Sequence, residues 1–255
     1  MTVVALYQAL LWFIVVMSVA GFAGSFFYTT PYGRFKKATD EWTLPSRAGW
    51  LLMEFPCLLA FALTYWLLGT HSLATVPLLV WGVWQTHYIY RSIIFPLRMR
   101  DHGKRMPMGA VAFGFVFNSI NGFLNGYAVS SLAPHLLDTA WLLTPWFMGG
   151  AVLMLVGVTI NIQSDAILRH LRQPGETGYK IPHGGLYRWI SVPNYLGEII
   201  EWTGWAMLTA TPAGWSFALF SFANLFPRAL AHHRWYQKTF SDYPSNRKAI
   251  IPGII

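Results

Sequence analysis

Glu54 stands in a long run of apolar residues, and a carboxyl in such a run is the first sign of chemistry in this chain. A charged side chain at bilayer depth costs on the order of 2.5 to 3.5 kcal/mol, so it calls for a partner or a role. Burial disfavours the ionised form and leaves a neutral, hydrogen-donating acid. In the next apolar run Gln85, Tyr88 and Arg91 recur at intervals of three, flanked by His87 and Tyr90, and share one broad helix face. The bland alternatives are a carboxyl bonded to a neighbouring helix, a tyrosine anchoring its helix at the interface, and an arginine snorkelling toward water.

Further on, Asn118, Asn121 and Asn125 form a single polar stripe at i, i+3 and i+7, beside Gly122 and Gly126. Interhelical hydrogen bonds explain such a stripe as well as a ligand does. Three more stripes gather in the second half of the chain. They are Asn161, Asp165, Arg169 and Arg172; Asn194, Glu198 and Glu201; and Arg228, His232 and Tyr236. Salt bridging accounts for part of this. So many amides, acids, bases and aromatics suit a large polar ligand better, with arginine meeting phosphates and amides and carboxylates meeting ribose and base edges.

Other chemistries lack their residues. No Gly-x-Gly-x-x-Gly or P-loop occurs, and no strand pattern would support one. A metal site needs clustered ligands at suitable spacing; His232 and His233 are adjacent and point to different faces, so no metal is expected. No Gly-x-Ser-x-Gly elbow is present. Cys57 is the single cysteine, which rules out an internal disulfide and reads as ordinary packing.

The elements that must carry these residues are apolar helices. Of 255 residues, 55% are hydrophobic and only 11% charged, far below the roughly 25% of a soluble domain. Apolar runs fall at about 5–27, 48–69, 74–97, 109–131, 142–163, 193–211 and 213–232. The first is too long for a signal-peptide core, lacks a basic leader and is read as a retained helix. Arg34, Lys36, Lys37 and Arg47 follow the first run, and Arg98, Arg100, Lys104 and Arg105 follow the third. Arg169, Arg172, Lys180 and Arg188 follow the fifth, and basic residues recur at the end, while the intervening connections carry none.

That alternation predicts an all-α, polytopic integral membrane protein of seven transmembrane helices, N-terminus outside and C-terminus cytoplasmic. It also reads the net charge of +8 as a topology signal, with no nucleic-acid partner. The connection from Gln173 to Val192 is rich in Pro and Gly, including Pro174, Gly175, Gly184 and Gly185, and is expected to hold no helix. No repeat or linker divides the chain, so residues 1–255 are expected to form one domain, 1–131 mainly on the substrate side and 142–255 mainly for the cofactor.

The stripes sit in longer ordered runs. Asn161 to Asp165, Leu168 to Glu176, Ile181 to Leu186 and Asn194 to Trp202 resemble the steroid 5α-reductase family, as do Arg228-Ala229, His232 to Tyr236 and Tyr243 to Pro252. Toward the N-terminus the resemblance rests on Glu54-Phe55-Pro56 and on His87-Tyr88 with Arg91. It implies a membrane enzyme that uses NADPH to reduce the 4,5 double bond of a 3-oxo-4-ene steroid drawn from the bilayer. It implies Glu54 and Tyr88 as the catalytic pair on the 3-oxo oxygen, with Trp50 and Arg91 beside the substrate. NADPH would be held by Arg105, Asn161, Asp165, Arg172, Tyr179, Lys180, Asn194, Glu198, Arg228, His232, Tyr236 and Arg247.

Lys180 departs from the arginine expected there, and a lysine meets phosphate as a point charge without the bidentate fork. The rival readings are a reductase of another enone, enoyl or polyprenol lipid, and an isoprenylcysteine-type methyltransferase, whose Pro-x-Tyr-x-Gly core resembles Pro193 to Gly197. A seven-helix transporter or receptor would leave the ordered motifs unexplained. The expected state is a monomer, in a bacterial inner membrane or the endoplasmic reticulum.

Overall fold

The structure is a computed structural model that describes residues 2–28, 33–35, 42–100, 103–173, 176 and 178–255. Its helices are α1 (Val3–Ser25), α2 (Ser46–Leu67), α3 (Thr75–Ile89), α4 (Phe95–Arg98), α5 (Met108–Tyr127), α6 (Pro145–His170), α7 (Pro193–Thr209) and α8 (Pro212–Thr239). The only extended ladder among the described residues pairs β1 (Thr43–Pro45) antiparallel with β2 (Arg105–Pro107), Leu44 opposite Met106. The all-α expectation therefore stands.

The seven-span expectation does not. Among the described residues three helices are long and apolar enough to cross a membrane: α1, α2 and α6. Two physical features remove the other four. The run at 74–97 is divided into α3, a π-helical turn at Tyr90–Ile94 and the four-residue α4. The run at 109–131 ends in a second π turn, Ala128–Leu132, and carries three asparagines through α5. In α7 and α8, acids, Pro227 and a basic C-terminal end dilute the apolar content. The inside–outside assignment rested on seven alternating spans and falls with them; of its basic residues, Lys36 and Lys37 lie outside the described residues. Three such helices still make this a multi-pass integral membrane protein.

The chain forms two compact units. The first comprises Met1–Phe13, Thr30–Met148 and Thr209–Gly214; the second comprises Ile14–Thr29, Gly149–Leu208 and Trp215–Ile255.

In the first unit α2 packs along α5, and glycine makes the approach close. A Cβ on Gly122 would lie 2.7 Å from the Cys57 carbonyl oxygen, and one on Gly126 would lie 2.9 Å from that of Phe61. Small residues let membrane helices meet backbone to backbone, where dispersion and polar contacts replace the hydrophobic drive. Around this seam Phe61 stacks on Trp84 at 4.7 Å, and Trp84 meets Tyr88 at 4.8 Å.

In the second unit α6 and α7 do the same with glycines seven residues apart on each helix. A Cβ on Gly204 would sit 2.6 Å from the Gly150 carbonyl oxygen, and one on Gly197 would sit 2.7 Å from that of Gly157. The C-terminal tail closes this unit through a parallel bridge between Ile190 and Lys248. A core of Val192, Ala229 and Ile250, flanked by Leu196 and Phe226, lies beneath it. Among its described residues the Gln173–Val192 connection, expected to hold no helix, forms a short 3-10 turn at Gly185–Arg188, entered through Gly184 at φ 88°. Its Pro174 and Gly175 lie outside the described residues.

Candidate functional site

The residues singled out by chemistry fall into one cluster in each unit. In the first, Glu54 comes one helical turn before Cys57 on α2, so both side chains leave the same face. Asn118 of α5 splits its amide hydrogens between the Met53 carbonyl (2.7 Å) and Glu54 Oε2 (3.4 Å). One turn on, Asn121 donates to Cys57 Sγ at 3.7 Å, and Asn125 donates to Asn121 Oδ1 at 2.9 Å. The asparagine stripe is thus an interhelical hydrogen-bonding strip with one end on the acid.

Cys57 also hydrogen-bonds Tyr88, so the thiol joins Tyr88 to the asparagine strip. Tyr88 is 2% exposed, and Ser92 Oγ in the π turn donates to its carbonyl at 2.6 Å. That π turn re-aims the helix beyond Tyr88: the Arg91 guanidinium lies 4.6 Å from the Trp50 ring centre and 4.8 Å from that of Phe95. Trp50 and Phe95 meet edge to face at 5.3 Å. Tyr88 thus packs with Trp84 and Phe61, and Arg91 packs with Trp50 and Phe95. Arg105 occupies β2, where its Nε donates to Thr43 Oγ1 and its Nη2 to the Thr43 carbonyl, both at 2.7 Å.

In the second unit the glycine seam brings two of the predicted stripes within reach of one another. Asn161 Nδ2 donates to Glu198 Oε1 at 3.1 Å and to the Asn194 carbonyl at 3.2 Å. Asn194 Nδ2 points at Asp165 Oδ1 at 3.5 Å. Glu201, 1% exposed, continues the α7 stripe one turn deeper, where its backbone faces Gly157.

The α8 stripe is organised by Tyr195. Arg228 Nε donates to the Tyr195 hydroxyl at 3.1 Å, and His232 Nε2 lies 3.4 Å from the same oxygen. Tyr236 stacks on Tyr243 at 5.2 Å and meets Trp235 edge to face. Trp235 in turn meets Tyr179, over which the Arg172 guanidinium lies at 5.9 Å while donating to the Gly178 carbonyl. Lys180 pairs with Glu176 at 2.5 Å on the surface, and this hydrogen bond holds the Glu176 carboxyl below its usual range. Arg247 is placed against the Pro182 carbonyl, to which its Nη1 donates at 3.0 Å, and beside His183 Nδ1 at 3.3 Å.

Two residues of these clusters escaped the sequence reading. Cys57 looked like packing, and its only signal was its place three residues after Glu54. Tyr195 lies one residue off the Asn194–Glu198 stripe, so periodicity assigned it to another face. Ser191, between His233 Nδ1 and the Tyr243 hydroxyl at 2.6 Å each, is a third polar centre, fastening the tail to the start of α7. Burial, with the Lys248 charge second, holds His233 below its ordinary value, and burial raises the Tyr243 phenol.

As a chemical surface, the second cluster offers amide and carboxylate groups flanked by guanidinium groups and aromatic rings, the equipment for a nucleotide's edges and phosphates. The first offers an acid and a phenol in an apolar wall, the equipment for polarising one oxygen of a lipid-like molecule.

Comparison with known proteins gives the family. The model of the family 3-oxo-5-alpha-steroid 4-dehydrogenase matches residues 104–255. The 3-oxo-5-alpha-steroid 4-dehydrogenase 1 of Bos taurus is 42% identical over 229 residues, covering 89% of this chain and 88% of that protein. Its Homo sapiens counterpart is 40% identical over 222 residues, covering 87% and 85%. The steroid 5-alpha-reductase DET2 of Solanum lycopersicum is 38% identical over 255 residues, covering 97% and 96%. With a family model across more than half its length and relatives aligned almost end to end, this chain belongs to the 3-oxo-5-alpha-steroid 4-dehydrogenase family.

Proposed function

We propose that this chain reduces the 4,5 double bond of 3-oxo-4-ene steroids to 5α-dihydro steroids, with NADPH as reductant. The observation that carries the reading is the placement of two proton-bearing groups in one unit: Glu54, to which Asn118 donates, and Tyr88, which hydrogen-bonds Cys57 one helical turn along α2 from Glu54. The names of the relatives support the substrate class: they act as steroid 4-dehydrogenases or 5-alpha-reductases.

Glu54 and Tyr88 hydrogen-bond the 3-oxo oxygen. Adding hydride at C5 pushes electron density through C4 to that oxygen, and donors aimed at it are stronger toward the enolate than toward the ketone. C4 then takes a proton. Trp50 and Arg91 form the wall beside the pair and, being packed on one another, hold it without rotamer freedom.

The donor set of the second unit fits a dinucleotide. Asn161, Asp165, Asn194 and Glu198 match ribose hydroxyls and carboxamide, and Arg172, Arg228 and Lys180 match phosphates, with His232, Tyr236 and Tyr179 as aromatic neighbours. Arg247 supports the Pro182–His183 segment next to them. When bound, NADPH supplies the hydride; the protein's part is binding and polarisation.

The test is conversion of progesterone or testosterone by detergent-purified protein with NADPH, products resolved by mass spectrometry. A 5α-dihydro product supports the reading. NADPH oxidation only with a polyprenol or enoyl lipid would transfer the chain to that substrate class.

A further inference from the structure

Cys57 is fully buried, and its thiol has a polar neighbour on each of two other helices of the first unit. Asn121 of α5 donates to Sγ at 3.7 Å, and the Tyr88 side chain of α3 hydrogen-bonds the same sulfur. The strip behind Asn121 fixes which way its amide faces. Asn125 Nδ2 donates to Asn121 Oδ1 at 2.9 Å, so the oxygen of that amide is taken and its Nδ2 is turned on the sulfur. Asn121 is 3% exposed and Asn125 is fully buried, which keeps bulk water off the whole series.

The frame around these groups is close-fitting. A Cβ on Gly122 would lie 2.7 Å from the Cys57 carbonyl oxygen, so α2 and α5 meet backbone to backbone beside the Asn121–Cys57 contact. On the other side Tyr88 is packed on Trp84 at 4.8 Å, and Ser92 Oγ donates to its carbonyl at 2.6 Å. The phenol therefore has little freedom to leave the thiol.

The direction of each hydrogen bond follows from the groups that can donate. Asn121 Nδ2 carries only donors, so the sulfur accepts from it. The thiol and the phenol each bring one hydrogen of their own to the remaining contact. A ketone oxygen is a much better acceptor than a thiol sulfur, so with a ketone in place the phenol hydrogen turns to it and the thiol hydrogen turns to the phenol oxygen. The dipoles then run one way, from Asn125 through Asn121 and Cys57 to Tyr88. Hydrogen bonds in series polarise one another where water is excluded. Charge that gathers on the ketone oxygen as hydride arrives is passed in part to the phenol oxygen, where the thiol hydrogen meets it.

Granting Tyr88 the polarising role proposed above, we infer that Cys57 and Asn121 are positioning residues for the reduction: Asn121 orients the thiol, and the thiol donates to the Tyr88 oxygen, leaving the phenol hydrogen for the 3-oxo oxygen. A packing role for Cys57 makes the opposite forecast, since an apolar alanine then suits the buried site better than a serine hydroxyl.

The experiment measures steady-state reduction of progesterone with NADPH by the full chain in detergent, for wild type, Cys57→Ala, Cys57→Ser and Asn121→Leu. Cys57→Ala should lower kcat about tenfold with the steroid KM unchanged, as for a bond felt in the transition state alone. Cys57→Ser, which returns a hydroxyl donor, should recover kcat to within about threefold of wild type. Asn121→Leu, of similar volume without the donor, should also lower kcat at constant KM, and it reads the series where Cys57→Ala does not fold. Added to Tyr88→Phe, Cys57→Ala should cost no further turnover, because its effect runs through the phenol. Turnover of Cys57→Ala at or above that of Cys57→Ser, an effect on KM alone, or an undiminished loss when Tyr88→Phe is already present would overturn the inference and leave the role of Tyr88 standing. Wild type inactive on the steroid, or Tyr88→Phe fully active, would instead overturn the reading of the site and the positioning roles with it.

Discussion

Replacing Gly197 by alanine tests whether the α6–α7 seam sets the geometry of the cofactor cluster. The new Cβ would lie 2.7 Å from the Gly157 carbonyl oxygen and 2.8 Å from the Asn161 backbone nitrogen, both backbone atoms that cannot swing aside. An ordinary contact begins at 3.4 Å, so the helices must part by about 3.4 − 2.7 = 0.7 Å. That separation would stretch the 3.1 Å bond between Asn161 and Glu198 to about 3.8 Å, beyond hydrogen-bonding range. Overpacking costs ~1–3 kcal/mol and a lost hydrogen bond ~1 kcal/mol more. The thermal midpoint should fall by several degrees, and NADPH should bind about tenfold more weakly, as expected for ~1.4 kcal/mol. Gly149→Ala is the control, since its Cβ would meet only the flexible Met207 methyl at 3.4 Å. NADPH titration by fluorescence and thermal unfolding in detergent read both effects. A Gly197→Ala protein that binds NADPH and melts like wild type would refute the argument.

Glu54→Gln and Tyr88→Phe should each lower kcat by roughly 10²–10³, the usual loss for one oxyanion donor, while NADPH affinity survives; full turnover in Tyr88→Phe would remove its polarising role. Asn194→Ala and Arg172→Ala should do the reverse, raising the NADPH dissociation constant with a smaller change in kcat at saturating cofactor. His233 supplies a pH prediction. Its folded value is depressed by burial and then by Lys248, so the unfolded chain binds the proton more tightly and protonation favours unfolding. Stability is constant above the unfolded value near 6.5 and declines as pH falls through the depressed folded value. Melting curves of His233→Gln should be flatter across that window, and an identical slope in both proteins would exclude His233 as the cause.

The polar stripes were legible because helical periodicity survives in any solvent. Asn161, Glu198 and Asn194 meet as their spacing implied. Spans were less legible, since hydropathy sees composition and misses interruptions. The π turns at Tyr90–Ile94 and Ala128–Leu132 lie inside apolar runs that read as continuous. The asparagines that join α5 to α2 are the same residues that make α5 a poor span. Cys57 and Tyr195 were hidden for another reason: each acts through a partner distant in sequence, Tyr88 for one and Arg228 and His232 for the other. Spacing on a single helix carries no trace of such a partner.

The most direct test follows the hydrogen. The detergent-purified protein is given testosterone and NADPH deuterated at the transferring position of the nicotinamide, and the product is analysed by mass spectrometry and NMR. The account predicts a 5α-dihydro steroid carrying one deuterium at C5 and a solvent-derived hydrogen at C4. Unchanged steroid with NADPH bound, or deuterium delivered to any position other than C5, would contradict it.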